Sequence, residues 1–529
     1  MKRVTTVLAC LLLGVVLLAP GGLGGMGLAA WLRVPIDGLA AVGLVLALPP
    51  KWRRAGTIAA GAVLGLLTVA KVLGLGFSAV LDRPFDPLAD WEFLAAGLGF
   101  LERSMGHAGT IAVAIGALVL TLGLAVLVAL AFMRVAGLLV KRKAASAWTV
   151  GGLALVWLVC LATGAQLVTG VPIAGHDLYD RAKQVADGLV DRQRFGAQIV
   201  ADTKDDQPSA NLLNALRGKD VILAFVESYG RSALENPELS PRIRATLDQG
   251  AQRLRQAGFG SRSGWLTSPT FTGGSWLAHS TLQSGLWVDD QQRYNLVLAS
   301  DRMTLSGAFH RAGWRTVGWM PGNNGEWPEG QRFYDFDRIY ASADVGYHGE
   351  RFAFDSVPDQ FSLSALQRTE RQAGTGRAPV MVTIPLLSSH APWDPVPKMI
   401  GWREVGDGSA YDNGDSPNLS ADVFSRDRAK VRADYVNAVA YSLESLVSYM
   451  EYYGGDDLVL VFLGDHQPAP LITGPGASRD VPITIVAKDP GLLSRIGSWG
   501  WDDGLTPGPQ APVWRMDAFR DRFFTAFAQ

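Results

Sequence analysis

Apolar residues are distributed very unevenly along this 529-residue chain, and that distribution constrains the fold more than any other feature. Nearly all of the long apolar runs lie before about residue 170, and the remainder alternates apolar and polar segments as a water-soluble protein does. A helix needs about 20 consecutive apolar residues to cross the hydrocarbon core of a bilayer. The sequence therefore predicts an N-terminal membrane domain followed by a larger soluble domain.

Five stretches approach or reach the length of a membrane span. They comprise residues 4–20, with an optional extension through 21–30, and residues 36–50, 57–81, 109–140 and 147–171. The first stretch has a cleaved signal peptide as its alternative, but the further spans and a poor cleavage pattern favour a retained helix. We therefore predict a transmembrane domain of about five helices over residues 1–172.

Clusters of lysine and arginine predict the orientation of these helices, because cytoplasmic loops are enriched in both residues. The clusters are Lys2 with Arg3, the group Lys51, Arg53 and Arg54, and the run Lys141, Arg142 and Lys143. With five spans, all three clusters fall on one side of the membrane, which is then the cytoplasmic side. The chain is accordingly predicted to leave the fifth span on the outside.

From residue 219 onward the pattern is that of an α/β protein. Short apolar runs typical of strands buried on both faces occupy 221–226, 380–385, 458–463 and 481–487, and helical patterns occupy 241–257, 303–312 and 426–452. This alternation predicts an α/β sandwich with a mostly parallel sheet over residues 219–529. Residues 173–218 are predicted to form a linker region, whose helix at 177–200 lies near the membrane surface or is simply solvated.

Residues that can bind a cation follow two of the predicted strands. Glu227 ends the first strand, and Asp465 and His466 follow the run 458–463. Reactive groups of such sheets gather beyond the carboxyl ends of the strands. Carboxylates and imidazole together suit one divalent cation, and manganese, magnesium and zinc are all compatible. Taken singly, each residue also has an ordinary structural interpretation.

Ser275 follows two glycines and begins a predicted helix. The free N–H groups at a helix start suit a phosphate or another anion, and a hydroxyl beside a metal ion loses its proton more readily. Ser275 is therefore a candidate nucleophile and a fourth candidate metal ligand, with an ordinary helix cap as the alternative. His390 lies in a strand-end loop, and His279 and His348 are candidate ligands for a second metal, although a structural role suits all three.

Composition excludes two other classes of protein. The formal net charge is -1, and no basic stripe with interleaved aromatic residues is present, so nucleic-acid binding is not expected. The only cysteines, Cys10 and Cys160, lie in apolar runs, so the soluble part has neither a disulfide framework nor a zinc ribbon.

The soluble half resembles the sulfatase-like branch of the alkaline phosphatase superfamily, and the membrane half resembles the five-span layout of lipoteichoic acid synthases and phosphoethanolamine transferases. The matching segments are VILAFVESYG at 221–230, FTGGSWLAHSTLQSG at 271–285, GAFHRAGWRTVGWMPG at 307–322, LLSSHAPW at 386–393 and VFLGDHQP at 461–468. The resemblance covers roughly residues 219–490. It implies that Glu227, Asp465 and His466 bind metal, that Ser275 occupies a nucleophile position that is usually threonine, and that His390 contacts the transferred phosphoryl group.

Departures from the family pattern limit what the resemblance implies. Ser275 is followed by Trp-Leu-Ala-His rather than by the motif from which sulfatases make formylglycine. Lipoteichoic acid synthases hold glycerol phosphate with a His, a Trp and an Arg. The equivalent stretch here, around residues 321–340, offers Pro321, Tyr334 and Phe336. The disulfides usual in phosphoethanolamine transferases cannot form here.

The resemblance therefore implies a metal-dependent, membrane-anchored phosphotransferase. Such an enzyme moves a lipid-derived phospho-alcohol group onto a cell-envelope glycan or lipid through a covalent Ser275 intermediate. The partners expected are a membrane lipid donor and a glycan or lipid acceptor, and the expected location is the bacterial cytoplasmic membrane with the catalytic domain outside. Two alternatives stay open: a phosphatase, phosphodiesterase or sulfuric-ester hydrolase of the same superfamily, and a non-catalytic lipid-binding regulator.

Overall fold

A computed structural model of the chain describes residues 2–19, 31–81, 85–86, 90–168, 171–172, 174–175, 177–205, 212–323, 325–372, 374, 376–411 and 427–528. The chain divides into two compact units, Met1–Asp191 and Arg192–Gln529. The finer division at residues 172 and 218 stays a prediction.

The first unit is built almost entirely from helices. In chain order these are α1 (Lys2–Leu18), α2 (Ile36–Ala47), α3 (Pro50–Leu81), α4 (Trp91–Lys141, interrupted at Gly106), α5 (Lys143–Thr163) and α6 (Asp177–Asp205), the last of which continues into the second unit. The short strands β1 (Val34–Pro35) and β4 (Ala174–Gly175) pair with each other, as do β2 (Gln166–Val168) and β3 (Val171–Pro172).

Three helical segments among the described residues are long and apolar enough to cross a membrane. They are Pro50–Ser78, Gly106–Lys141 and Lys143–Thr163, with mean hydropathies of 2.1, 2.8 and 1.9. The predicted first and second spans correspond to α1 and α2, which have 17 and 12 residues. Because a 12-residue helix is only about 18 Å long, the count of about five spans is not confirmed. The optional extension of the first span at 21–30 lies outside the described residues.

A buried lysine satisfies the carboxyl end of α1. Lys71 Nζ on α3 donates to the carbonyl oxygens of Val16 at 2.9 Å and Ala19 at 3.2 Å, and it lies 2.5 Å from Asp177 Oδ2. The last carbonyls of a helix have no partner within the helix, and exposing them to hydrocarbon is costly. Lys71 thus compensates for the early end of α1 with charge-assisted hydrogen bonds.

The second unit contains one nine-stranded sheet. Its strands are β5 (Asp220–Val226), β6 (Gly260–Thr267), β7 (Arg315–Trp319), β8 (Arg338–Tyr340), β9 (Val380–Leu386), β10 (Leu458–Gly464), β11 (Asp480–Ala487), β12 (Asp502–Asp503) and β13 (Val513–Arg515). They are arranged in the order β12-β6-β11-β10-β5-β9-β7-β8, with β13 also paired to β6. The five strands from β10 to β8 are parallel, whereas β11 runs antiparallel to both of its neighbours. The sheet is therefore mixed, with a parallel centre.

Helices cover both faces of this sheet. They are α7 (Ser232–Glu235), α8 (Ser240–Gln256), α9 (Ser275–Ser284), α10 (Gln291–Leu298), α11 (Leu305–Arg311), α12 (Pro328–Tyr334), α13 (Asp359–Leu366), α14 (Arg428–Tyr453), α15 (Pro470–Thr473), α16 (Pro490–Arg495) and α17 (Phe519–Phe527). Every residue of β5 is buried, and alternate side chains enter opposite layers. Ile222 and Ala224 pack in a core layer with residues of α8 and α14, and Leu223 and Phe225 pack in a layer with residues of α11 and α17.

Candidate functional site

Two adjacent parallel strands place the candidate ligands side by side. Residues 458–464 of β10 pair in register with residues 220–226 of β5, so that Gly464 lies opposite Val226. The next residues along each strand are Asp465 and Glu227. Because both strands are buried and run in the same direction, the two carboxylates emerge at the same edge of the sheet.

His466 completes a group of three buried ligand atoms. Its Nε2 lies 3.3 Å from Glu227 Oε1 and 3.6 Å from Asp465 Oδ2. One ligand atom from each residue lies within 4.8 Å of the others, and no other group of three or more His, Cys, Asp or Glu residues of this kind occurs in the described part of the chain. The three residues that the strand ends singled out therefore come together.

Ser275 joins this group from the start of α9. Gly273 and Gly274 both have positive φ values, 67° and 71°, which residues with a side chain rarely adopt, and they turn the chain into the helix. The Ser275 hydroxyl donates to Glu227 Oε2 at 2.9 Å and lies 3.2 Å from His466 Nε2. The serine oxygen thus lies beside a carboxylate and an imidazole, in reach of the same centre.

The donor set fits a divalent cation. Asp465 Oδ2 is buried and accepts no hydrogen bond from any described residue, which is costly for a carboxylate oxygen unless a cation binds it. His466 Nδ1–H donates to the carbonyl oxygen of Gln467 at 2.8 Å, so Nε2 carries the lone pair that faces the two carboxylates. Glu227, Asp465, His466 and Ser275 are therefore the residues that could hold the ion.

The electrostatics of the group agree with this assignment. Burial, followed by the charge of Glu227, raises the pKa of Asp465 to about 6. Burial lowers the pKa of His466, but the carboxylates of Asp465 and Glu227 outweigh it, and the net pKa is raised. Repulsion between two buried carboxylates raises the free energy of the folded state, and a bound cation reverses that effect.

Ser228 is a supporting residue that the sequence did not single out. It has a φ of 58°, its backbone N–H donates to Asp465 Oδ1 at 2.8 Å, and its hydroxyl donates to Glu227 Oε1 at 3.0 Å. The hydroxyls of two further buried serines hold the backbone of the ligands. Ser268 donates to the carbonyl of Asp465 at 2.6 Å, and Ser389 donates to the carbonyl of Glu227 at 2.7 Å. The only signal in the sequence was the position of Ser228 directly after Glu227.

His390 lies at the same edge of the sheet, in the loop after β9. The adjacent Ser389 contacts Glu227, as described above, and Glu227 N–H donates to the carbonyl of Leu386 at 3.2 Å. His390 Nδ1–H donates to the carbonyl of Ala391 at 2.6 Å, and its ring stacks on Phe354 with centroids 3.6 Å apart. The structure thus places His390 in a loop in which the preceding residue, Ser389, contacts the backbone of Glu227.

The two spare histidines do not form a second three-ligand group within the described residues. His279 lies one turn after Ser275 on α9, its ring centroid is 3.9 Å from that of Phe225, and burial lowers its pKa to about 4. His348 lies in the loop after β8, where its N–H donates to the carbonyl of Asp407 at 2.9 Å.

The segment near residues 321–340 contains a cluster of aromatic side chains. Tyr334 and Phe336 are both buried, and their rings stack with centroids 5.3 Å apart. The ring of Trp327 lies 5.7 Å from that of Tyr334. Tyr334 and Phe336 therefore belong to a hydrophobic cluster, against which Trp327 packs.

Comparisons with known proteins give similarities at the level of solved structures. No protein-family model matches the chain, and no curated protein matches it. The lipoteichoic acid synthase LtaP from Listeria monocytogenes is 15% identical and has a TM-score of 0.39, with coverage of 60% of this chain and 74% of that one. The phosphoglycerol transferase GacH from Streptococcus pyogenes, solved with sn-glycerol-1-phosphate, is 11% identical and has a TM-score of 0.39. The match covers 65% of this chain and 81% of that one.

A third similar structure is the C-terminal periplasmic domain of EcEptC from Escherichia coli, solved in complex with Zn. It is 14% identical with a TM-score of 0.34, and the match covers 51% of this chain and 73% of that one. The chain is thus similar, over part of its length, to these three solved structures.

Proposed function

We propose that this protein is a metal-dependent, membrane-anchored phosphotransferase of the alkaline phosphatase superfamily. The observation that carries the proposal is the position of Ser275 Oγ, 2.9 Å from Glu227 Oε2 and 3.2 Å from His466 Nε2, beside the unpartnered oxygen of buried Asp465. A hydroxyl at a helix start, next to a site that suits a cation, is the arrangement that a nucleophilic serine requires.

One divalent cation, Mn²⁺, Mg²⁺ or Zn²⁺, would be held by Glu227, Asp465, His466 and the oxygen of Ser275. When bound, the ion lowers the free energy of a serine alkoxide and of negative charge on a phosphoryl oxygen. The protein contributes the geometry: hydrogen bonds from Ser228 hold both carboxylates, and the Gln467 carbonyl fixes the tautomer of His466.

The chain's own residues then perform two displacements. Ser275 Oγ loses its proton and attacks phosphorus, the bond from phosphorus to the leaving alcohol oxygen breaks, and that oxygen takes up one proton, which balances the one that the serine released. A hydroxyl of the acceptor next attacks phosphorus in this serine-bound phospho-alcohol, the bond from phosphorus to Ser275 Oγ breaks, and the serine takes up one proton, which balances the one that the acceptor hydroxyl releases. We assign His390 the role of contacting the transferred phosphoryl group during both steps.

The proposed donor is a membrane lipid that carries a phospho-alcohol head group, and the proposed acceptor is a glycan or lipid of the cell envelope. Three long apolar helices support a donor drawn from the bilayer. The charge clusters at Lys2, at Lys51 and at Lys141 support a catalytic unit outside the bacterial cytoplasmic membrane. Water as the second acceptor would make the same site a phosphodiesterase.

The test uses the full-length protein purified in detergent, with Asp465→Ala and Ser275→Ala alongside. Metal content, release of a chromophore from a phosphodiester and the mass of the Ser275 peptide are measured on the same samples. We expect about one metal per chain in the wild type, turnover that both variants lack, and, in rapidly quenched reactions, a Ser275 peptide that carries the phosphoryl group with its remaining alcohol. A wild type that binds no divalent metal and shows no turnover contradicts the proposal and favours a lipid-binding regulator.

Product analysis separates the two acceptors. With a lipid donor alone, a hydrolase releases the free phospho-alcohol at the rate at which it consumes donor. A transferase consumes donor faster when an envelope glycan or lipid acceptor is added, and the phospho-alcohol then appears on that acceptor.

A further inference from the structure

Phe354 lies flat against the imidazole of His390. The ring centroids are 3.6 Å apart and the planes are inclined by only 19°. The two residues come from different segments, because His390 follows β9 and Phe354 lies in a short turn ahead of α13. The contact is therefore made by the tertiary fold rather than by the local sequence.

The turn that carries Phe354 is anchored on both sides. Phe352 N–H donates to the carbonyl of Ser356 at 3.1 Å, and Ser356 N–H donates to the carbonyl of Ala353 at 3.2 Å. Phe352, Ala353 and Val357 are each 1% exposed, and Phe352 and Val357 belong to the core layer that contains residues of α8 and α14. These anchors leave Phe354 at the apex of the turn.

The backbone of Phe354 is strained. Its φ and ψ are 59° and 27°, a left-handed conformation that glycine or asparagine adopts far more easily than a bulky aromatic residue. Strained conformations persist where the surrounding structure enforces them, and they cluster at functional sites. A phenylalanine at a position whose backbone favours asparagine points to a role for its ring.

His390 is restrained in a second direction. Its Nδ1–H donates to the carbonyl of Ala391 at 2.6 Å, so Nδ1 is the nitrogen that carries the proton. Trp393 Nε1–H donates to the carbonyl of Ser389 at 2.8 Å, and the hydroxyl of Ser389 contacts Glu227. One hydrogen bond thus sets the tautomer, and the Phe354 ring sets the plane of the imidazole.

We propose that Phe354 is a positioning residue that holds the imidazole of His390 against the phosphoryl group transferred to Ser275. The proposal rests on the proposed function and deepens it, because it names a residue outside the sequence motifs on which the phosphoryl contact depends. The stack supplies the orientation that a loop histidine lacks by itself, and a displacement of about 1 Å in such a group costs up to about 100-fold in rate.

The test compares Phe354→Asn with Phe354→Tyr in the full-length, metal-loaded protein. Asparagine removes the ring but suits the left-handed backbone, so the thermal midpoint and the metal content are expected to stay near the wild-type values. Tyrosine keeps the ring. We expect kcat/KM for a phosphodiester to fall about 10- to 100-fold in Phe354→Asn and to stay within about threefold in Phe354→Tyr.

A double-mutant cycle with His390→Gln separates positioning from packing. If Phe354 acts through His390, Phe354→Asn causes no further loss in the His390→Gln background, and acylation of His390 by diethyl pyrocarbonate is faster in Phe354→Asn than in the wild type. If the activity losses of Phe354→Asn and His390→Gln multiply, the inference is overturned and the proposed function stands. The same holds if activity falls only in proportion to the amount of folded protein. A metal-loaded wild type without turnover overturns the proposed function, and the inference with it.

Discussion

The backbone N–H of Ser228 lies 2.8 Å from Asp465 Oδ1 and joins the ends of two neighbouring strands at the candidate metal centre. The hydroxyl of the same serine donates to Glu227 Oε1. One residue therefore orients both carboxylates, and its left-handed φ of 58° is what directs its N–H toward Asp465. Such contacts matter because a metal ligand that can rotate binds its ion less tightly.

Replacement of Ser228 by alanine tests this support. Ser228→Ala removes the hydrogen bond to Glu227 and keeps the one to Asp465, so we expect metal affinity to fall about 10-fold or more without loss of the site. Titration calorimetry with the metal-depleted protein measures the change. Ser494→Ala, on the exposed surface of α16, is the matched control and should bind metal as the wild type does. Equal affinities in both variants would contradict the assigned role.

The hydroxyl of Ser275 is expected to be essential for turnover but not for folding. Ser275→Ala should lower kcat about a thousandfold or more, because it removes the nucleophilic oxygen, whereas Ser275→Thr keeps the hydroxyl and should retain activity. Metal content should remain measurable in both, since Glu227, Asp465 and His466 are unchanged. A Ser275→Ala protein with wild-type turnover would exclude the covalent intermediate.

Gly464 is expected to tolerate no side chain. A Cβ atom at this position would lie 1.8 Å from the carbonyl oxygen of Tyr229, which is backbone and cannot move without displacing the end of β5. Gly464→Ala should therefore destabilise the protein by about 2–3 kcal/mol and weaken metal binding. Gly497→Ala is the matched control, because a Cβ there meets no atom within 4 Å and, as at Gly464, the φ is not in the left-handed region. If both variants bind metal equally well, the close approach does not shape the site.

Asp359 should make stability depend on pH. It is buried at the start of α13, where it accepts hydrogen bonds from Ser388 N–H at 3.1 Å and from the Ser442 hydroxyl at 2.6 Å. Burial raises its pKa from 3.8 to about 6. The folded state therefore holds this proton more tightly than the unfolded state does, and the resulting stabilisation is complete below pH 3.8 and is lost as the pH rises through 6.

The shift corresponds to about 3 kcal/mol between those limits. Asp359→Asn cannot ionise, so the slope of unfolding free energy against pH between about 4 and 6 should be smaller in the variant than in the wild type. Denaturant titrations at a series of pH values measure both slopes. Parallel curves would show that Asp359 does not titrate in this range.

Asp220 provides a test of stability that is separate from the site. It lies at the opposite end of β5 from Glu227, where it is 2% exposed and accepts hydrogen bonds from Arg371 Nε at 2.9 Å and Arg377 Nη1 at 2.8 Å. Burial raises its pKa, but the arginines and the Val380 N–H outweigh that effect, and the net pKa is lowered.

Removal of this carboxylate leaves the arginines without their partner. Asp220→Asn should destabilise the protein by about 3–5 kcal/mol, while the folded fraction keeps its metal and its activity per mole. Chemical denaturation and metal analysis measure the two effects. Loss of metal from protein that remains folded would show that the two ends of β5 are coupled.

Much of the central sheet was predictable because its strands are continuous apolar runs. The runs at 221–226 and 458–463 correspond to β5 and β10 within one residue at each end. By contrast, β6 has the sequence GSRSGWLT, which contains no apolar run, and it is a strand because its backbone pairs with β11 and β13. Likewise, the antiparallel direction of β11 depends on a chain reversal that the apolar pattern does not encode.

The sequence alone determined that membrane helices precede an α/β domain, because membrane helices and buried strands are both continuous apolar runs. It also determined that Glu227, Asp465, His466 and Ser275 stand at the ends of elements, where such runs stop and polar residues begin. Only the tertiary structure decided that the side chains of these four residues come together. It also decided that Ser228 serves both carboxylates and that Phe354 stacks on His390. Those relationships depend on strand register, on left-handed backbone angles and on contacts between distant segments, none of which leaves a local pattern of residues.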